Sequence, residues 1–160
     1  MTMPPPPSQP VMPSKGPVPL WAPYYGAPFG VAVRRVFQKY ATFSGRAGRA
    51  EFWWWYLVTV LVTVVLNIIT AATGSNQMRA DGSMTGYTGA GIVVAIITVI
   101  WGLATIIPTL AVSVRRLHDT NHAGWWVLIG LIPIVGAIIL LVFYLTAAKP
   151  EGARFDQAAN

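Results

Sequence analysis

Three stretches of this 160-residue chain contain no Asp, Glu, Lys or Arg: Phe52 to Met78, Gly82 to Val114, and Ala123 to Ala148. An α-helix needs about 20 mostly apolar residues to cross a bilayer, so each stretch is long enough to hold a span. Buried strands of a soluble protein run only about 4–8 residues. A soluble surface helix of this length also carries a polar face, which these stretches lack. Charged residues make up 10% of the chain, against about 25% in a soluble domain. The sequence therefore predicts an all-α membrane protein with three transmembrane helices, over about 52–73, 90–114 and 125–147 of a membrane domain covering 42–148.

The remaining charge sets an orientation. Lys and Arg number 11 against 5 Asp and Glu, a net +6. Three crossings place Lys15, Arg34, Arg35, Lys39, Arg46, Arg49, Arg115 and Arg116 on one side, and Arg79, Lys149 and Arg154 on the other. Basic residues collect on the cytoplasmic side of a membrane, so the amino terminus is expected inside and a short tail, 149–160, outside. A basic chain invites a nucleic-acid reading, but charge confined to one membrane face orients the protein instead, and no nucleic-acid partner is expected. Trp53, Trp54, Trp55 and Tyr56, with Trp125 and Trp126, form an aromatic belt at the inner interface, and Phe143 and Tyr144 approach the outer one. With no cysteine, disulfides and thiolate metal sites are excluded.

Ahead of the first span lie two different segments. Residues 1–28, beginning Met1-Thr2-Met3-Pro4-Pro5-Pro6-Pro7, have the proline density of a disordered, extended arm, and contain no apolar core of a cleavable signal. Over 29–41 a helical period appears: Phe29, Val33, Val36, Phe37 and Tyr40 share a face, opposite Arg34, Arg35, Gln38 and Lys39. This predicts a short amphipathic helix lying in the interface, its basic face toward anionic headgroups. The connector 74–89 reads as an exposed, polar loop.

Within the spans, Thr59, Thr63, Asn67 and Thr70 form one polar stripe, and Thr98, Gly102, Thr105, Thr109 and Ser113 another. Such residues let helices approach and hydrogen-bond to one another, or to a second copy of the chain. Pro108 and Pro133 predict kinks in the second and third spans.

Two polar clusters meet the membrane at the cytoplasmic end: Phe43-Ser44-Gly45-Arg46-Ala47-Gly48-Arg49-Ala50-Glu51-Phe52-Trp53, and Arg115-Arg116-Leu117-His118-Asp119-Thr120-Asn121-His122 followed by Gly124-Trp125-Trp126. Glu51 and Asp119 are expected to pair with Arg49, Arg115 or Arg116. Together with Arg46 and His118 they form the candidate structural or ligand cluster. Arginines of this set also suit an anionic headgroup or solute. His118 and His122 have the i, i+4 spacing of a metal pair, with Asp119 adjacent, but the intervening Thr120-Asn121 suggests a turn that separates the imidazoles. His118 beside Asp119 is the arrangement of a general base. No nucleophile elbow, metalloprotease motif or phosphate-binding loop accompanies it, so no catalytic residue and no cofactor is assigned.

The combination F-x-G-R-x-x-R-x-E-F-W, R-R-L-H-D followed by G-W-W, and L-I-P-x-x-G resembles the bacterial membrane family known as domain of unknown function 805. The resemblance runs from about Phe29 to Phe155. It rests on Phe43, Gly45, Arg46, Arg49, Glu51 and Trp53, then Arg115 to Asp119, Gly124, Trp125 and Trp126, then Pro133 and Gly136. It implies a small integral protein of the bacterial cytoplasmic membrane with no established activity. The tail departs from the family pattern at Ala153-Arg154-Phe155-Asp156, and the Pro-rich arm is an addition to it. The combined expectation is a non-enzymatic structural or interaction module whose partners are the bilayer and a further copy of itself or another membrane protein. Its alternative is a small transport or anionic-lipid-binding component.

Overall fold

The computed structural model describes residues 18–73, 81–83 and 88–156. The readings made for 1–17, for most of the 74–89 connector and for 157–160 lie outside these residues. Every regular element among the described residues is helical: α1 (Phe29–Gln38), α2 (Arg49–Ala72), α3 (Gly89–Asp119) and α4 (Val135–Leu145), with 3-10 segments over Gly124–Leu131 and Pro150–Phe155.

Helices α2 and α3 form an antiparallel pair. At about 1.5 Å per residue their 24 and 31 residues reach about 36 and 46 Å, beyond the roughly 30 Å of bilayer hydrocarbon. In the most apolar 18-residue stretch of each, only 6% is buried, so neither is a core helix of a soluble fold. Their polar stripes are satisfied mostly within each helix. Asn67 Nδ2 donates to Thr63 C=O, and the hydroxyls of Thr98 and Thr105 donate to Val94 and Trp101 C=O. Tryptophan bridges the pair instead: Trp55 Nε1 donates to Thr109 Oγ1 (3.0 Å) and Trp101 Nε1 to Thr63 Oγ1 (3.4 Å).

Helix α3 runs unbroken through Pro108. A proline lacks the N–H that would bond the carbonyl four residues earlier, and lipid offers no substitute donor. That carbonyl belongs to Ala104, and the Tyr40 hydroxyl donates to it at 2.6 Å.

The third expected span departs from prediction. Residues 125–147 form no continuous helix. The 3-10 segment Gly124–Leu131 leads into a reversal at Ile132-Pro133-Ile134, and α4 comes back along it. Both ends of the hairpin lie at the end of the molecule where α2 begins and α3 stops. His122 stacks on Phe143 (4.1 Å), and Arg116 donates to the carbonyls of Tyr144 and Thr146. The physical cause is local. Pro133 disfavours helix at the residue before it, Ile134 adopts φ 62°, and Gly136 lets the two arms touch. A Cβ on Gly136 would lie 1.8 Å from Ile129 C=O. At about 2.0 Å per 3-10 residue and 1.5 Å per α residue, both arms are about 16 Å long, half a bilayer core. Pro133 therefore marks a reversal and not a kink, and Phe143 and Tyr144 lie at the same end of the molecule as His122 and Phe52.

Residues 149–156 follow the hairpin back. Lys149 N–H donates to Asp119 C=O (2.8 Å), Gly45 N–H to Phe155 C=O (3.0 Å), and Gly152 sits where a Cβ would meet His118 C=O at 2.4 Å. The tail thus packs at the same end as the amino-terminal segments. The compact core lies there as well, assembled from Val36 of α1, Ala47, Phe52 and Trp55 of α2, and Val112 of α3.

Helix α1 lies against this core. Ala32, Arg35, Val36 and Lys39 are buried, whereas Phe29, Phe37 and Arg34 are exposed. The expected basic face is therefore split, with Arg35 and Lys39 pointing inward. Phe29 and Phe37 meet Trp54 and Trp55 edge-on at 5.3 and 5.2 Å.

Candidate functional site

The polar end is built around carboxylates with no solvent exposure. Glu51 stands in the first turn of α2, where negative charge is favoured by the helix dipole. Its partner is Arg35: Nε donates to Oε1 at 2.8 Å, and Tyr24 N–H donates to the same oxygen at 3.2 Å. The remaining Arg35 donors hold the chain before α1, bonding the carbonyls of Val18 (2.9 Å), Pro19 (3.1 Å) and Ala22 (2.6 Å). Residues 18–28, expected to belong to a disordered arm, are thus strapped across the bundle end.

Asp119 closes the second pair. Arg116 Nη1 binds its Oδ2, and the Tyr25 hydroxyl donates to Oδ1 at 2.7 Å. Burial and this bond to Asp119 push the Tyr25 phenol well above its ordinary range. The third pair joins residues 110 apart: Arg46 grips Asp156 through Nε (2.9 and 3.0 Å) and Nη2 (2.5 Å). That bond holds the Arg46 guanidinium above its usual value. Lys39 is pushed down to about 8, chiefly by burial and against the attraction of Glu51. Arg115 is fully buried within electrostatic reach of Glu51 and Arg35. Its Nε donates to Ala111 C=O, while Nη1, Nη2 and Glu51 Oε2 have no protein partner among the described residues.

The two histidines face different neighbours. His118 Nδ1 lies 3.0 Å from Gly45 C=O, and its ring stacks on Phe155 at 4.1 Å. His122 Nδ1 pairs with Thr120 Oγ1 at 3.0 Å, and burial lowers its pKa. No three metal-ligating side chains come together among the described residues.

The sequence-derived set therefore separates into distinct pairs. Glu51 takes Arg35 rather than Arg49, Arg115 or Arg116, while Asp119 takes Arg116. Arg49 is the exposed arginine of the set. Its Nε reaches Thr146 C=O at 3.4 Å, and among the described residues its terminal nitrogens carry no protein bond. Sequence reasoning missed three partners: Arg35, Tyr25 and Asp156. The burial of Arg35 had a readable signal, since Ala32, Arg35, Val36 and Lys39 fall at i, i+3, i+4 and i+7, a stripe as regular as the aromatic one.

The sequence matches the family described as "Protein of unknown function (DUF805)" over residues 40–157. It is 36% identical to "Inner membrane protein YhaH" of Escherichia coli K12 over 121 residues, covering 76% of this chain and 89% of that protein. It is 32% identical to "Inner membrane protein YhaI" of the same strain over 120 residues, covering 75% and 87%. No solved structure matches. Arg35 and Tyr25, the partners of Glu51 and Asp119, both lie ahead of the family match. The chain, a membrane protein by its apolar helices and its relatives, belongs to the DUF805 family.

Proposed function

We propose that this chain is a bacterial inner-membrane protein that works as a structural or interaction module, crossing the bilayer twice and inserting a re-entrant hairpin between its second crossing and its tail. The polar end, with the segments on both sides of the bundle, faces the cytoplasm. The observation that carries the reading is the closure of that end: Glu51, Asp119 and Asp156 are each bonded to an arginine. A general base needs a lone pair free to reach substrate. Asp119 is taken up by Arg116 and Tyr25, so it neither offers a free lone pair nor orients His118, whose Nδ1 faces Gly45 C=O and whose ring stacks on Phe155. Such closure suits a fixed shape better than a reaction.

Charge supports the orientation. With two crossings, Lys15, Arg34, Arg35, Lys39, Arg46, Arg49, Arg115, Arg116, Lys149 and Arg154 all belong to one side, leaving Arg79 alone in the opposite connector. That is a steeper bias than three crossings give. Self-association through the exposed faces of α2 and α3 is part of the same reading. Detergent-solubilised protein that stays monomeric over a wide concentration range would remove that part.

The absence of cysteine makes the topology directly testable. Single-cysteine variants Ser83→Cys and Ala153→Cys are treated with a membrane-impermeant maleimide, with the outer membrane permeabilised and the inner one intact. Labelling is expected at position 83 alone, and at 153 only after lysis. Labelling at 153 before lysis overturns the two-crossing reading.

A further inference from the structure

We infer that the polar end holds one anionic phospholipid, its phosphate on Arg49 and an acyl chain in the groove between α2 and α4. The site is independent of which membrane face the end occupies. It goes beyond a purely structural role by naming a bound ligand.

Two recesses carry the inference. The first, about 320 Å³, is lined by Arg49 and Ala50 at the start of α2, by Arg116 and Asp119 at the end of α3, and by Ala147 and Ala148 beyond α4. The second, also about 320 Å³, is lined by Phe52, Trp53 and Tyr56 of α2 and by Ala137, Leu141 and Tyr144 of α4. On α2, positions 49, 52, 53 and 56 follow one another on a single face at helical spacing. On the other wall, Tyr144, Leu141 and Ala137 of α4 do the same in reverse order, with Ala148 beyond the end of that helix. The two recesses share no lining residue but lie at successive turns of α2, the first beside Arg49 and the second lined mainly by apolar side chains.

Charge selects the ligand. Asp119 lines the polar level, but its carboxylate is already bonded to Arg116 and Tyr25. Arg116 spends its donors on Asp119 and on the carbonyls of Tyr144 and Thr146. Arg49 keeps its two terminal nitrogens for a ligand, held in place by its Nε contact to Thr146. A guanidinium with both terminal nitrogens free matches a phosphate diester in bidentate geometry. α2 opens beside it without a side-chain cap, adding a positive dipole end. A soluble phosphate would use the upper level alone. The apolar continuation suits a molecule with a hydrocarbon tail, and the aromatic pair of Phe52 and Tyr144 (4.4 Å) walls it at the depth of the lipid chains.

The test uses the full chain in mild detergent, with native mass spectrometry counting bound lipid as phosphatidylglycerol or phosphatidylcholine is titrated in. Wild type is expected to bind one phosphatidylglycerol about tenfold more tightly than phosphatidylcholine, a difference of about 1.4 kcal/mol. Arg49→Gln is expected to erase that preference, while Ala137→Phe, which fills the lower groove, weakens both lipids and leaves Arg49 intact. Circular dichroism matching wild type shows that each variant is folded. Arg49→Lys covers the case of a misfolded glutamine variant, and it too is expected to lose most of the preference. Unchanged lipid preference in the folded Arg49 variants overturns the inference. So does inorganic phosphate displacing phosphatidylglycerol completely while Ala137→Phe has no effect, which identifies a free-phosphate site.

Discussion

The two ends of the α2–α3 pair are built on opposite rules. Along the spans, Leu61, Val99, Ile100 and Leu103 are 60–64% exposed, and hydroxyl groups are spent on their own helix. At the polar end Glu51, Arg115, Arg116 and Asp119 have no exposure at all, and bonds of Glu51, Arg116 and Asp119 reach across 16, 28 and 94 residues. Solvent explains the inversion. Lipid is as apolar as leucine, so nothing drives span side chains inward. At the interface, charge is stable only when it reaches water or meets its opposite; Glu51, Arg116 and Asp119 meet theirs, and Arg115 lies buried within reach of Glu51. Cohesion is therefore concentrated where the chain is most polar, and the apolar length contributes span more than tightness.

Three substitutions test this contrast, in falling order of effect. Glu51→Ala strips Arg35 of its partner and leaves Arg35, Lys39 and Arg115 buried together. Removing one member of a buried pair costs about 3–5 kcal/mol, so the variant should show a large drop in thermal midpoint in detergent. Wild-type melting behaviour would mean that the pair is water-exposed in solution. Tyr40→Phe removes the donor that satisfies the carbonyl freed by Pro108. An acceptor orphaned where lipid supplies no donor costs about 1–3 kcal/mol, and a Tyr40→Phe, Pro108→Ala double variant should recover part of it, because alanine restores the helix's own N–H. Absence of recovery would separate the two residues. Leu103→Ala, on the exposed face, should change stability by no more than about 0.5 kcal/mol. A larger loss measured in lipid would reveal that this face is covered, as self-association requires.

Much of this architecture was legible in the residues, for reasons that also explain the misreadings. The charge-free runs marked α2 and α3 because length and hydropathy are what a bilayer measures. The same quantities misjudged Trp125–Ala147, since one crossing and a descent with return bury equal amounts of apolar chain. Only the backbone at Pro133, Ile134 and Gly136 separates the two, and its signal had been taken for a kink. Because that segment turns back, Asp156 comes within reach of Arg46 across 110 residues. The Arg116–Asp119 pair was readable from i, i+3 spacing. Arg35 was hidden because its helix has two regular stripes, and amphipathicity alone does not say which of them meets protein.

The half-depth hairpin also gives the molecule an uneven outline. At its polar end the protein is four elements wide, with the tail laid across them; toward the other end the described residues narrow to α2 and α3. A body of that form displaces more lipid area from one monolayer than from the other. The mismatch is relieved where the membrane bends toward the narrow side, or where neighbouring molecules share their lipid shells. A wedge of this kind is sensitive to lateral pressure in the bilayer, a property that neither its charge pairs nor its apolar content would disclose.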